Sequence, residues 1–170
     1  MRRFKKTYIR FVKAPDVERT ILDQAKHENE IIYGAQSIKK QTGIFSRKTS
    51  DYDIFSLSPK KSAKKIEKKL DNVYGWNNFY VKPAMHPGTY KVMDVGMDGK
   101  PKTDDDVGVA DYTVMPKPKP KFVNINGVKY RDLRYEEKAK IRSIKDKSYA
   151  YRHEKDKEDL ARIKLFEGKK

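Results

Sequence analysis

The chain has no cysteine. That excludes a disulfide framework and any thiolate-bound metal. Its histidines, His27, His86 and His153, are scattered, and no two have the spacing of metal ligands,. Each reads as a solvated or locally satisfied group. No apolar run approaches the roughly 20 residues that span a bilayer, so no membrane role is expected. The basic start, Met1-Arg2-Arg3-Phe4-Lys5-Lys6, is followed by no apolar stretch or small-residue cleavage site. No secretory signal is read there. With cysteine absent, an intracellular (cytoplasmic) setting is expected, host or viral, extending to association with a virion.

Acidic residues are also short. The 170 residues include 24 Asp and Glu against 40 Lys and Arg, a net charge of +16. An excess that large makes polyanions the natural partners. Lysine far outnumbers arginine, the commoner reader of base edges. The charge therefore points to nucleic acid or nucleotides, not to sequence-specific readout. Apolar residues are 36% of the chain, but they fall in periodic runs, and the length suits one domain with a real core.

Periodicity gives a strand over Thr7 to Lys13. A helix follows from Ala14-Pro15-Asp16, with Val17, Ile21, Leu22 and Ala25 as its apolar stripe. Ile31-Ile32-Tyr33 reads as a brief buried strand ending at Gly34. Residues 35 to 41 turn helically until Thr42-Gly43. Asp51 to Leu57 is a strand, and Ser62 to Leu70 a helix with Ala63, Ile66 and Leu70 inward. Strands are expected over Phe79 to Met85, Gly88 to Val95 and Val107 to Met115. The loop from Gly96 to Asp106 reads as mobile, and the prolines between Pro116 and Lys121 as an extended connector. Asn126-Gly127 is a tight hairpin signal within Val123 to Tyr130. Helices from Arg134 to Asp146 and Ala150 to Phe166 close the chain. No repeat is present. The expectation is one domain over residues 1–170: an α/β (α+β) sheet flanked by helices, with a core over about 14–130 and a helical part over about 131–167.

Two carboxylates stand in an otherwise apolar run, Asp51-Tyr52-Asp53-Ile54-Phe55. On a strand, residues i and i+2 share a face. Asp51 and Asp53 would thus lie together, with Tyr52 and Ile54 on the other side. Adjacent anions repel unless a cation joins them, and oxygen ligands suit magnesium or manganese. Alone, the pair reads equally as a solvated strand end. Upstream, Gly34-Ala35-Gln36-Ser37 follows a buried strand. A glycine there lets backbone amides approach a phosphate, and Ser37 offers it a hydroxyl. The plain alternative is a turn glycine with a capping serine. Arg47 and Lys48, between the two stretches, would face phosphates or solvent.

Tyr33-Gly34-Ala35-Gln36-Ser37, followed by Ser50-Asp51-Tyr52-Asp53-Ile54-Phe55, resembles the G-[GS]-x-[ST]…[DE]-x-[DE] signature of the DNA polymerase β-like nucleotidyltransferases. Arg47-Lys48-Thr49-Ser50-Asp51-Tyr52-Asp53 is similar to the R-x-[ST]-x-D-x-D of the minimal and abortive-infection-toxin members. Tyr135-Glu136-Glu137-Lys138-Ala139-Lys140-Ile141 resembles the toxin group's helical lysine motif. Arg152-His153-Glu154-Lys155-Asp156-Lys157-Glu158-Asp159-Leu160 resembles its R-x-x-K-D-x-x-D-[LI] motif. Ala35 replaces the usual second glycine or serine.

The resemblance implies a nucleotidyltransferase fold, an NTP substrate, Mg2+ or Mn2+, and an RNA or protein hydroxyl as acceptor, with an assembly or antitoxin as a protein partner. It implies that Asp51 and Asp53 bind metal with a third carboxylate from a neighbouring strand. Asp111 is preferred for that place over Asp94, because a lone charge in the apolar strand around it needs a cation. Asp104-Asp105-Asp106 reads as a solvated loop. The resemblance further gives Gly34, Ser37, Arg47 and Lys138 to the triphosphate, with Lys155, Asp156 and Asp159 as support and Asp159 orienting Lys138 or Arg152. A surface ion network is the alternative for these last three. Trp76, Tyr74, Phe79 and Tyr80 read as a hydrophobic patch before a base-stacking platform. A non-catalytic protein of the same fold, serving as a basic nucleic-acid-binding or structural subunit, stays open beside the enzyme.

Overall fold

A computed structural model describes residues 14–44, 51–75 and 77–169. The expected strand over Thr7 to Lys13 lies outside the described residues, as do Arg47, Lys48 and Trp76.

Helix α1, Ala14–His27, is followed by strand β1, Ile31–Tyr33, and helix α2, Gly34–Thr42. Then come β2, Tyr52–Ser56, and α3, Pro59–Tyr74. Three strands follow: β3, Phe79–Pro83, β4, Tyr90–Asp94, and β5, Val107–Val114. The hairpin of β6, Phe122–Ile125, and β7, Val128–Arg131, leads into α4, Leu133–Lys145. A 3-10 turn, Lys147–Arg152, joins α4 to α5, His153–Glu167. The hairpin turns at Asn126 and Gly127, both with positive φ (54° and 85°), which is the geometry of a two-residue primed turn.

The strands form one mixed sheet in the order β3-β4-β5-β2-β1-β7-β6. β2 runs parallel to β5, and β1 parallel to β7; the other neighbours are antiparallel. Period-two alternation divides its residues between two faces. On one face Ile32, Tyr52, Ile54, Ala110, Tyr112 and Tyr130 pack against Ile21, Ala25, Ile66 and Leu70 of α1 and α3. This is the main core. The opposite face carries a smaller cluster of Ile31, Phe55 and Met115, with Tyr33 stacked on Phe55 at 3.8 Å between ring centres. Asp53 alternates with Tyr52 and Ile54 and so belongs to that second face. There α2 packs with α4 and α5.

The helix stripes read from periodicity are the ones buried, with Ile21, Ala63, Ile66 and Leu70 at 0–1% exposure. In the Gly96 to Asp106 loop, Asp104 and Asp105 are exposed, as a solvated loop requires, and the loop's acids also take local hydrogen bonds. The Asp105 carboxylate accepts from the Met97 and Asp98 amides at 2.6 and 3.1 Å. Asp106 accepts from the Lys102 amide at 2.7 Å and from the Tyr80 hydroxyl. These aspartates are acceptors that shape the loop's turns.

Candidate active site

The parallel pairing of β2 with β5 sets Asp53 opposite Asp111. Registered residues on neighbouring strands share a face about 4.8 Å apart. Asp51 stands just before β2 and acts electrostatically on both carboxylates. The three acids are thus near enough to act on one another electrostatically. Asp94 is not: it pairs with Phe79 and Val107 at the far end of β4, and its carboxylate accepts from the Gly96 amide at 3.0 Å.

Burial pushes the Asp53 carboxyl up to about 7, and the charges of Asp51 and Asp111 add to the rise. Lys140 and Arg152 oppose it. Burial also raises Asp111, against the ammonium of Lys91. Lys91 lies opposite Asp111 across β4 and β5, with Nζ 2.8 and 3.0 Å from the two carboxylate oxygens. Both side chains are partly buried, 33% and 18% exposed. This cation was not anticipated. The available signal was alternation: Tyr90 and Val92 face the main core, which sends Lys91 to the side of Asp111.

Gly34 opens α2 with φ +71°. A Cβ there would meet Asp53 Oδ2 at 2.6 Å. Only glycine satisfies both the left-handed backbone and that approach. Its amide donates to Glu136 Oε1 at 2.8 Å. Glu136, fully buried on α4, also takes the Arg131 guanidinium at 2.9 and 2.6 Å. The Ser37 hydroxyl is buried, donating to the Arg131 carbonyl at 2.8 Å and accepting from Gln41 Nε2 at 2.9 Å. Of the groups expected to face a triphosphate, Gly34 and Ser37 are therefore bonded inside the protein, through Glu136 and Arg131, neither of which was singled out from the sequence.

The two C-terminal motifs also rearrange. Lys138 is exposed on α4, with Nζ 6.0 Å from the centre of the Tyr135 ring. Residues two apart on a helix differ by about 200°. The inward lysine is Lys140, 2.8 Å from Asp159 and 3.0 Å from Asp156. Asp159 also takes Arg162 at 2.5 Å, and Asp156 takes Arg152 at 3.2 Å. Both aspartates are fully buried, so they do not form the surface network considered above. Lys155 is exposed. Of the two lysines, Lys140 is the one that turns inward, held by Asp156 and Asp159.

Magnesium and manganese take oxygen ligands, and Asp51, Asp53 and Asp111 supply only oxygens. The raised Asp53 carboxyl is the strain that a cation would relieve. Among the described residues, no three acidic or histidine side chains converge into a ready metal cage. The donors fit such an ion in kind, with Asp111 needing release from Lys91.

No helix among the described residues is long and apolar enough to cross a membrane. No protein-family model matches the sequence, and no curated protein matches it. Among solved structures, the Megavirus polyadenylate synthase aligns with a TM-score of 0.69 at 18% identity, over 88% of this chain and 30% of that one. This chain therefore spans less than a third of the Megavirus protein's length. JHP933 from Helicobacter pylori aligns at 0.49 with 10% identity, over 77% and 54% of the two chains, a score too low to add weight. With its mixed sheet, its flanking helices and the Megavirus alignment, the chain has the nucleotidyltransferase fold.

Proposed function

We propose that the chain transfers a nucleoside monophosphate from an NTP to a hydroxyl of an RNA or protein acceptor. The observation that carries this reading is the register of Asp53 with Asp111 across parallel strands, with Asp51 beside them, on a nucleotidyltransferase fold. The acceptor oxygen bonds to the α-phosphorus, the bond to the bridging oxygen breaks, and pyrophosphate leaves. Asp111 takes the hydroxyl proton. Asp51, Asp53 and Asp111 would hold magnesium or manganese, which would supply charge stabilisation for the reacting phosphates. Lys140 and Arg152 add fixed positive charge behind Asp53. The protein with each α-labelled NTP, Mg2+ or Mn2+ and total RNA is expected to label RNA or itself. The Asp51→Asn, Asp53→Asn double variant is expected to label nothing. A folded protein inert with every NTP and both metals would overturn the reading.

Lys91 sets a second expectation. As the counter-ion of Asp111 it competes with metal. Lys91→Met should tighten Mn2+ binding about tenfold, by freeing a carboxylate and removing a positive charge. A Mn2+ titration followed by electron paramagnetic resonance checks this, and unchanged affinity would sink it.

One observation favours a second reading. The Gly34 amide and the Ser37 hydroxyl are bonded to protein groups. A non-catalytic subunit that binds nucleic acid through its charge has no need of them for a triphosphate.

A further inference from the structure

On the face of the sheet away from the carboxylates, a shallow groove of about 450 Å³ runs between the start of α3 and the β4–β5 pair. Pro59, Tyr90 and Val114 form its apolar floor, and Lys60, Lys61 and Lys64 its rim. Among the described residues, Lys60 and Lys61 have no ion-pair partner. Lys64 has only an exposed pair with Glu67 at 2.8 Å, which holds it weakly. The rim continues along the helix: Lys65, paired with Glu28 of α1, and Lys68 are also exposed, and the helix itself carries two acids, Glu67 and Asp71, between Pro59 and Tyr74.

We infer that this groove binds single-stranded nucleic acid, with phosphates on the lysines and a base against Tyr90 and the exposed Val114. The inference goes beyond the proposed function, because the groove lies on the other face of the sheet from the carboxylates. Charge complementarity selects a polyanion. The apolar floor with its half-exposed tyrosine then selects one that carries unstacked bases, because single strands bind by combining a cationic track with aromatic stacking. A duplex buries its bases and leaves such a floor unused. The groove and the carboxylates lie on opposite faces of the sheet but at neighbouring levels along the same strands. Tyr90 is the neighbour of Lys91, the residue on Asp111, and Val114 is three residues beyond Asp111, about 10 Å at strand rise.

Fluorescence anisotropy with labelled oligouridylate and oligothymidylate 12-mers, over a salt series, tests this on the full chain. The triple variant Lys60→Glu, Lys61→Glu, Lys64→Glu should bind at least tenfold more weakly. The slope of log affinity against log salt should fall by about 2, at roughly 0.7 per lost phosphate contact on a single strand. A control with the same charge change at the exposed Lys145, Lys147 and Lys164 should lose no more than a few-fold. Tyr90→Leu should weaken binding about fivefold or more with the slope unchanged. The uridylate and thymidylate arms tell whether RNA or DNA is preferred, and either preference supports the site. Equal losses in both triple variants would overturn the inference. So would a Tyr90→Leu variant that binds like the wild type while polyglutamate competes as well as the oligonucleotides, because that marks a surface for acidic protein. These readouts need no catalysis, so a failed label transfer leaves the groove standing, and a failed groove leaves the transfer reading standing.

Discussion

Asp53→Asn should abolish nucleotidyl transfer and make the fold more stable at alkaline pH. The activity loss follows from removing a carboxylate from the proposed metal set, and about 100- to 1,000-fold is expected from one preorganised charge at a reacting phosphate. The stability gain follows from the raised carboxyl. Its ordinary value is 3.8, and in the fold it reaches about 7. Between those values the native state keeps a proton that the unfolded chain has released. Stability from this group is thus greatest below about pH 4 and falls as pH rises through 7. Asparagine carries no charge at any pH. Near pH 4 the two proteins should be alike, and at pH 8 the variant should be ahead. The full shift would be worth about 4 kcal/mol. Asp53 is half-buried, so solvent screens part of this, and about 2 kcal/mol is expected. Urea unfolding at pH 4 and pH 8 measures it. A variant less stable than the wild type at pH 8 would show that Asp53 is well compensated in the native protein.

The second large effect separates two lysines that are two residues apart. Lys140→Ala should destabilise the protein by about 3 kcal/mol, because Asp156 and Asp159 would lose a shared cation in a buried cluster. Their other partners, Arg152 and Arg162, keep the loss from being larger. Lys138→Ala should change stability by no more than about 0.5 kcal/mol, as exposed sites do. Thermal unfolding of the two variants side by side decides the matter. Equal melting points would mean that the buried cluster contributes nothing to the fold.

Much of the fold was legible because burial is periodic. The α1 stripe of Val17, Ile21 and Ala25, the α3 stripe of Ala63, Ile66 and Leu70, and the three-residue strand at Ile31 all show in the spacing of apolar residues. Alternation alone gives the shared face of Asp51 and Asp53, and the lone charge in the apolar strand around Asp111 called for a cation, a place that Lys91 takes in the fold. The rest depended on partners distant in sequence. Nothing local says that Gly34 lies against Asp53 instead of an open phosphate site, since that contact comes from the pairing of β1 with β2. Glu136 looks like any helix-surface glutamate until Arg131 and the Gly34 amide meet it. The choice between Lys138 and Lys140 depends on which face of α4 turns inward. That helix buries Glu136 and Lys140 where an apolar stripe would otherwise mark the face.

The carboxylates and the cations opposing them on Asp53 are far apart in the order of synthesis. Arg152 follows Asp53 by about a hundred residues. At about 5 to 20 residues per second, that separation is about 5 to 20 s on the ribosome. During that interval the emerging chain carries Asp51, Asp53 and then Asp111 without Lys140 or Arg152 to balance them. The centre becomes whole only when the last two helices have been made and have docked.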